Sequence, residues 1–360
     1  MGRSLGKGAF CVVTEVTKIK LSNKTASQNA PQQDKAQKEI YFDERMIQSV
    51  VQDRKFMEAH CLRGSHKDCR YAIKAVQASC HSDVQRYING VVDLAVEARF
   101  LSVICHPNII KMRAMSGASP FSTTQPFFVV LDRLYDILGT RIAKWKREKP
   151  GSMRVLDCRT CLMEQEFWIE RISVILDLGT ALRYLHESNI VYRDIKPDNI
   201  GFDVRGDVKI FDFGLSKELD PAEKDDDGFY NMTADTGSPR YMAPEVFLGK
   251  RYNESVDVYS FSILIWQILK LQTPYEGYTM NILKKKVING GARPKCDPKW
   301  SPQIRGLLQS GWGTPKNRPT MDEIIEVLRC EMNCYTSLKR GSINDLDASR
   351  KSDASLLAIK

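Results

Sequence analysis

Val191-Tyr192-Arg193-Asp194-Ile195-Lys196-Pro197-Asp198-Asn199 sets two acids, two cations and an amide among apolar residues. Pro197 and the apolar flanks place the stretch between strands and turns, not inside a long helix. A lone Asp-x-Lys is usually a solvated surface pair. Here Asp194 and Lys196 are followed by Pro197 and Asn199, then by Asp212-Phe213-Gly214 and Ala243-Pro244-Glu245. So many polar and turn residues, in that order, mark a chemical site rather than a salt bridge.

Working outward, the 360 residues are enough for two lobes or two modest domains, each with a core of its own. Hydrophobic content of 42% and charged content of 27% are those of an ordinary globular chain. The net charge of +9 is not gathered into an Arg/Lys stripe interleaved with aromatics. Nucleic acid is therefore not an expected partner. Attraction of anions such as ATP is the simpler use of that charge. The ten cysteines are irregularly spaced. Cys158 and Cys161 form a Cys-x-x-Cys pair with no second pair, so free thiols are expected rather than a four-ligand zinc site. No apolar run approaches a membrane span, residues 1–15 lack a signal-peptide core, and Gly6 stands where a myristoylation signal wants Ser or Thr. No membrane insertion is expected. The expected location is cytoplasmic, with nuclear access open.

Along the chain, 9–16 and 70–77 read as strands, and 127–131 (Phe-Phe-Val-Val-Leu) reads as a central strand of a small antiparallel sheet. Residues 20–38 offer little to bury and read as a surface loop. Residues 39–60 suit a short helix or an irregular insert. Val92, Ala95, Val96, Phe100, Leu101 and Ile104 have helical spacing over 91–104, ended by His106-Pro107. Residues 134–146 begin helix-like, 147–160 read as an insert, and 161–187 as a long periodic helix. Residues 256–271 form a strongly apolar helix around Trp266. The acidic 220–235 segment reads as solvated and mobile, and 337–360 as a flexible tail. The boundary between strand-rich and helix-rich halves falls near 131–138, where a cleft could take a nucleotide.

The upstream motifs complete the pattern. Gly6-Lys7-Gly8-Ala9-Phe10-Cys11-Val12-Val13 precedes a strand, and Tyr71-Ala72-Ile73-Lys74 carries a lysine on one. Glu97 lies on the helix that follows. Together these motifs and their order resemble the catalytic core of a eukaryotic protein kinase, of serine/threonine type, over about residues 6–333. Ser260-Phe261 and Arg240-Tyr241-Met242 are similar to the tyrosine-kinase-like branch of that group.

The resemblance implies an α+β, bilobal fold. A small antiparallel-sheet N-lobe with one key helix would span 1–133, with an insert at 14–69. A larger, mainly helical C-lobe would span 134–336, with an insert at 147–160. It implies ATP-dependent phosphorylation of serine and threonine hydroxyls on protein substrates, with Mg²⁺ or alternatively Mn²⁺. Asp194 would be the base, with Lys196 and Asn199 as its catalytic companions. Asn199 and Asp212 would hold the metal. Gly6, Gly8, Phe10 and Val13 would form the phosphate loop, and Lys74 would reach the phosphates, held by Glu97. Ala72, Leu131, Asp132 and Leu134 would surround the base, with Leu131 as gatekeeper, and Asp136 would approach the ribose. Arg193, Thr233 and Thr236 would be regulatory, along with Tyr230, and would answer to an upstream activating kinase. Ser238 would hydrogen-bond near Asp194 and Lys196. Glu245 would pair with Arg318, and Asp257 would cap backbone amides behind the catalytic loop. Asp198 would favour a basic residue upstream of the target hydroxyl.

Three departures stand out. Tyr192 replaces the usual histidine, Cys11 replaces the third glycine, and only five residues precede Gly6, so a short first strand is expected. Retention of Lys74, Glu97, Asp194, Asn199 and Asp212 argues against a catalytically silent scaffold. The Ala243-Pro244-Glu245 segment argues against a small-molecule phosphotransferase.

Overall fold

The computed structural model describes residues 2–20, 44–64, 68–122, 125–149 and 158–337. The expected loop at 20–38, the core of the 147–160 insert and the tail beyond 337 lie outside the described residues. The chain divides into two compact units, Met1–Ala98 with Lys111–Arg133, and Arg99–Ile110 with Leu134–Lys360.

The strands and helices of the first part are β1 (Ser4–Lys7), β2 (Cys11–Glu15), α1 (Glu44–Ala59), β3 (Leu62–Arg63), β4 (Asp68–Cys69), β5 (Tyr71–Val76), α2 (Val84–Val103), β6 (Met112–Met115) and β7 (Phe128–Asp132). Five strands form an antiparallel sheet in the order β1-β2-β5-β7-β6. β7 lies inside the sheet, between β5 and β6, because its apolar residues can be buried on both faces: Val129, Val130 and Leu131 are all buried. The single strand expected over 9–16 is shorter, since 8–10 turn back toward β1. β1 has four residues and pairs Gly6 with Val13.

The 14–69 insert is partly built into this unit. From 51 to 59, α1 is exposed apart from Met57, which packs with Cys61, Tyr71 and Val130 against Val16, Ile19, Ala114 and Phe128. β3 and β4 form a small hairpin. Arg133, buried, ties this corner together through Asp68 at 2.6 Å and Glu15 at 3.1 Å. α2 starts well before the periodic stretch that predicted it, because its first turns are polar and leave Val84, Ile88 and Val92 exposed.

The second unit holds β8 (Asp136–Ile137), α3 (Leu138–Glu148), α4 (Cys158–Glu187), β9 (Ile190–Val191), β10 (Ile200–Phe202), β11 (Val208–Ile210), β12 (Lys217–Glu218), α5 (Pro244–Phe247), α6 (Ser255–Lys270), α7 (Met280–Ile282), α8 (Pro302–Gly311) and α9 (321–337). A six-residue π-helix, Leu283–Ile288, follows α7. α4 buries Ile172, Ile175, Leu178, Leu182 and Leu185 along one stripe. α6 is buried all round, from Val256 to Leu269. Arg171 of α4 donates to the carbonyl of Leu269 at 2.7 Å, and burial pulls its guanidinium down to about 10. Strands β11-β10-β8 and β12-β9 are short antiparallel pieces that bracket the polar stretch after Val191.

Candidate active site

In the first unit, Lys74 on β5 and Glu97 on α2 form an ion pair of 2.6 Å. The glutamate is almost wholly buried. Burying such a carboxylate without a partner would be expensive, so the pair fixes the register of α2 against the sheet. The glycine turn is closed by the Gly8 N–H donating to the Cys11 carbonyl at 2.8 Å. Gln77, buried just after β5, donates its amide to the carbonyls of Gly8 (2.6 Å) and Cys11 (3.2 Å). Sequence reasoning missed Gln77, since nothing in its local pattern separates it from a surface glutamine.

Phe10 packs on α2 at Gly90, where an added Cβ would stand 2.9 Å from the Phe10 Cβ. A glycine inside a helix costs about 1 kcal/mol relative to alanine, and here it makes room for the loop. Cys11 is buried, with its thiol toward the Gly90 carbonyl. Ala72 stands opposite Leu131 across β5 and β7, both buried. The Asp132 N–H is used by the Lys111 carbonyl at 3.0 Å, and its carboxylate takes Arg113 at 2.7 Å from both Nε and Nη2.

In the second unit, Asp257 is fully buried and accepts the backbone N–H groups of Tyr192 and Arg193, each at 2.8 Å. His186 Nε2 lies 3.0 Å from the same carboxylate, a partner that sequence reasoning did not find. The Asp194 carboxylate accepts from three groups: Lys196 Nζ at 2.6 Å, Asn199 Nδ2 at 2.8 Å and Ser238 Oγ at 2.8 Å. Those bonds offset the desolvation of a nearly buried carboxylate. Because Asn199 spends its N–H₂ group on Asp194, its amide oxygen faces the other way.

Arg193 and Asp212 both adopt left-handed backbone, at φ 70° and 66°. Neither is a glycine, and strain of this sort concentrates where surrounding contacts over-determine a side chain's direction. Tyr192 donates its hydroxyl to the Phe211 carbonyl at 2.5 Å and sets its ring edge-on to Phe213, with centroids 5.2 Å apart. It thus braces the Asp212-Phe213-Gly214 turn with an aromatic body and one polar end. Arg318 clasps Glu245 with both arms, at 2.5 and 3.0 Å, both groups buried.

The Asp136 carboxylate takes the Ile137 N–H at 2.9 Å and Arg141 Nε at 3.0 Å, partners that sequence reasoning did not foresee. Tyr230 is buried and exchanges backbone hydrogen bonds with Tyr252, which removes it from the accessible hydroxyls. The acidic segment is solvated along most of its length, and it carries defined contacts. It contains a short 3-10 turn at Pro221–Glu223, Asp225 meets Arg251 at 2.5 Å, and Asp227 meets Lys316 at 2.8 Å. Among the described residues no group of three or more His, Cys, Asp or Glu could hold a metal ion, and no helix is long and apolar enough to cross a membrane.

This lysine–glutamate pair, glycine turn and clasped Asp-x-Lys loop are a protein-kinase-type arrangement. A family model described as protein kinase domain matches residues 55–328. This chain belongs to the protein kinase domain family. Among its relatives, a serine/threonine-protein kinase of Dictyostelium discoideum is 29% identical over 291 residues, 81% of this chain and 28% of the relative. The cAMP-dependent protein kinase type 3 of Saccharomyces cerevisiae is 31% identical over 288 residues, 75% of this chain and 62% of the relative. A serine/threonine-protein kinase of Arabidopsis thaliana is 37% identical over 158 residues, 44% of this chain and 26% of the relative. The chain therefore spans less than two thirds of the length of these relatives.

Proposed function

We propose that this chain transfers the γ-phosphoryl group of ATP to serine and threonine hydroxyls of protein substrates, in the cytoplasm. The observation that carries this reading is the triple clasp on Asp194 by Lys196, Asn199 and Ser238. A carboxylate so held is an oriented acceptor for a hydroxyl proton without itself becoming a nucleophile. Lys196 would neutralise charge on the transferring group. Lys74, fixed by Glu97, takes the α- and β-phosphates, and the turn closed by Gln77 covers them.

The donors available to a metal are hard oxygens: the Asp212 carboxylate and the outward amide oxygen of Asn199. That set fits Mg²⁺, with Mn²⁺ as an alternative, since such ions take one or two protein carboxylates and complete their shell with phosphate oxygens and water. When bound, the metal supplies charge neutralisation between the phosphates. Asp198 is exposed beside this loop and favours a basic residue upstream of the target hydroxyl.

The test is Mg²⁺-dependent transfer of labelled phosphate to a mixed serine, threonine and tyrosine peptide library. Asp194→Asn and Asp212→Asn are each expected to lower the rate by more than roughly 100-fold, the usual scale for losing a general base or an electrostatic anchor. Transfer to small alcohols in place of peptides would overturn the protein-substrate reading.

A further inference from the structure

Arg193 immediately precedes Asp194, and its left-handed backbone has to be held in place. Asp257 takes its N–H, and three neutral acceptors take its guanidinium. Nε donates to the Leu215 carbonyl at 2.6 Å, and Nη1 donates to Thr233 Oγ1 at 2.9 Å and to the Tyr252 hydroxyl at 3.3 Å. Tyr252 is fully buried and donates its own proton to the Thr233 carbonyl at 2.8 Å. One hydroxyl can serve both roles, accepting from arginine and donating to a carbonyl.

Thr233 is held there from both sides. Upstream, Tyr230 and Tyr252 exchange backbone hydrogen bonds of 2.9 and 3.2 Å, and Asn253 donates to the Gly228 carbonyl at 3.1 Å. Downstream, the Asp235 N–H donates to the Val246 carbonyl at 3.1 Å. The Asp225–Arg251 and Asp227–Lys316 pairs add to this, but they are well exposed and each is worth at most about 1 kcal/mol. The buried tyrosine bridge is the stronger restraint.

We propose that Tyr252, acting through the unmodified Thr233, is a positioning residue that fixes Arg193 and hence the Asp194 loop, so that transfer needs no phosphate on the 220–236 segment. The proposal rests on the phosphoryl-transfer reading above. It replaces the upstream kinase expected from sequence with hydrogen bonds already present in the fold.

The experiment uses the full 360-residue chain, treated with a protein phosphatase and checked for absence of phosphate by intact mass. Its kcat on a peptide substrate is expected to stay within about 2-fold of the untreated protein. Tyr252→Phe and Thr233→Val are each expected to lower kcat roughly 10-fold, with KM for ATP unchanged, as fits the loss of one or two positioning hydrogen bonds. Because both act through Arg193, the double variant is expected to lose no more than the worse single variant. Thr233 is exposed, so Thr233→Val keeps the test alive if Tyr252→Phe fails to fold. Asp227→Asn, which removes one exposed pair at the far end of the segment, is expected to change the rate by less than about 2-fold. A rate that collapses on phosphatase treatment, or losses that simply multiply in the double variant, would overturn the proposal while leaving the kinase reading intact. No transfer from either form would overturn both.

Discussion

At the residue scale, the most instructive position is Tyr192. The family pattern leads one to expect histidine there, and the tyrosine meets the same two demands, a ring against Phe213 and a hydrogen bond into the Asp212 turn. Tyr192→Phe keeps the ring and strands the Phe211 carbonyl. It is expected to destabilise the second unit by about 1–2 kcal/mol, measured as a lower urea midpoint at unchanged slope. Gln77 makes the matching case in the first unit. Its amide donates to both the Gly8 and the Cys11 carbonyls. Gln77→Leu is expected to raise KM for ATP by roughly 3- to 10-fold with little change in kcat, read from steady-state kinetics, because a loosened phosphate cover weakens binding in ground and transition states alike.

At the element scale, two attachments differ in kind. α5 is joined to the loop before α9 by the buried Arg318–Glu245 clasp. Removing one partner of a buried pair leaves an uncompensated charge, so Arg318→Ala is expected to cost about 3–5 kcal/mol. All five tryptophans, at positions 145, 168, 266, 300 and 312, lie in the second unit. Their fluorescence transition is therefore the direct readout, and an unshifted midpoint would show that the clasp carries no stability. α1, by contrast, contributes Met57 to a buried cluster with Cys61, Tyr71 and Val130. Met57→Ala is expected to cost about 2–5 kcal/mol locally and to open α1 to hydrogen exchange ahead of β5 and β7.

At the scale of the whole molecule, the sheet unit carries the lysine and glycine turn, and the helical unit carries the acid, the amide and the carboxylate that the proposal assigns to a metal. The proposal therefore requires a divalent ion held by Asp212 and Asn199 together with the phosphates. Chelation with EDTA is expected to abolish transfer, and added Mg²⁺ or Mn²⁺ to restore it, whereas the tryptophan transition should not move. Restoration by neither ion would contradict the donor set.

Much of the helical architecture was legible in the sequence because burial writes a periodic signature: the apolar spacing of 256–271 gives α6 to within one residue at each end, and that of 161–187 gives the end of α4, which starts three residues earlier, at Cys158. The ordered motifs around Asp194, Lys74 and Glu245 were legible because their residue types and sequence order are unusual together. The start of α2 was not legible, since a polar first turn carries no burial period, nor was the packing of Met57 of α1 against Cys61, Tyr71 and Val130. The partners were hidden too. That Gln77 closes the glycine turn, that His186 faces Asp257, that Asp136 pairs with Arg141, and that Tyr252 reaches Arg193 are facts about groups that no local pattern joins. The contacts of the acidic run were hidden for the same reason, because Arg251 and Lys316 meet it only after folding. Sequence by itself determined which residues can do chemistry and which faces must be buried. Only tertiary structure decided which polar groups satisfy one another, because that depends on distances that no local pattern encodes.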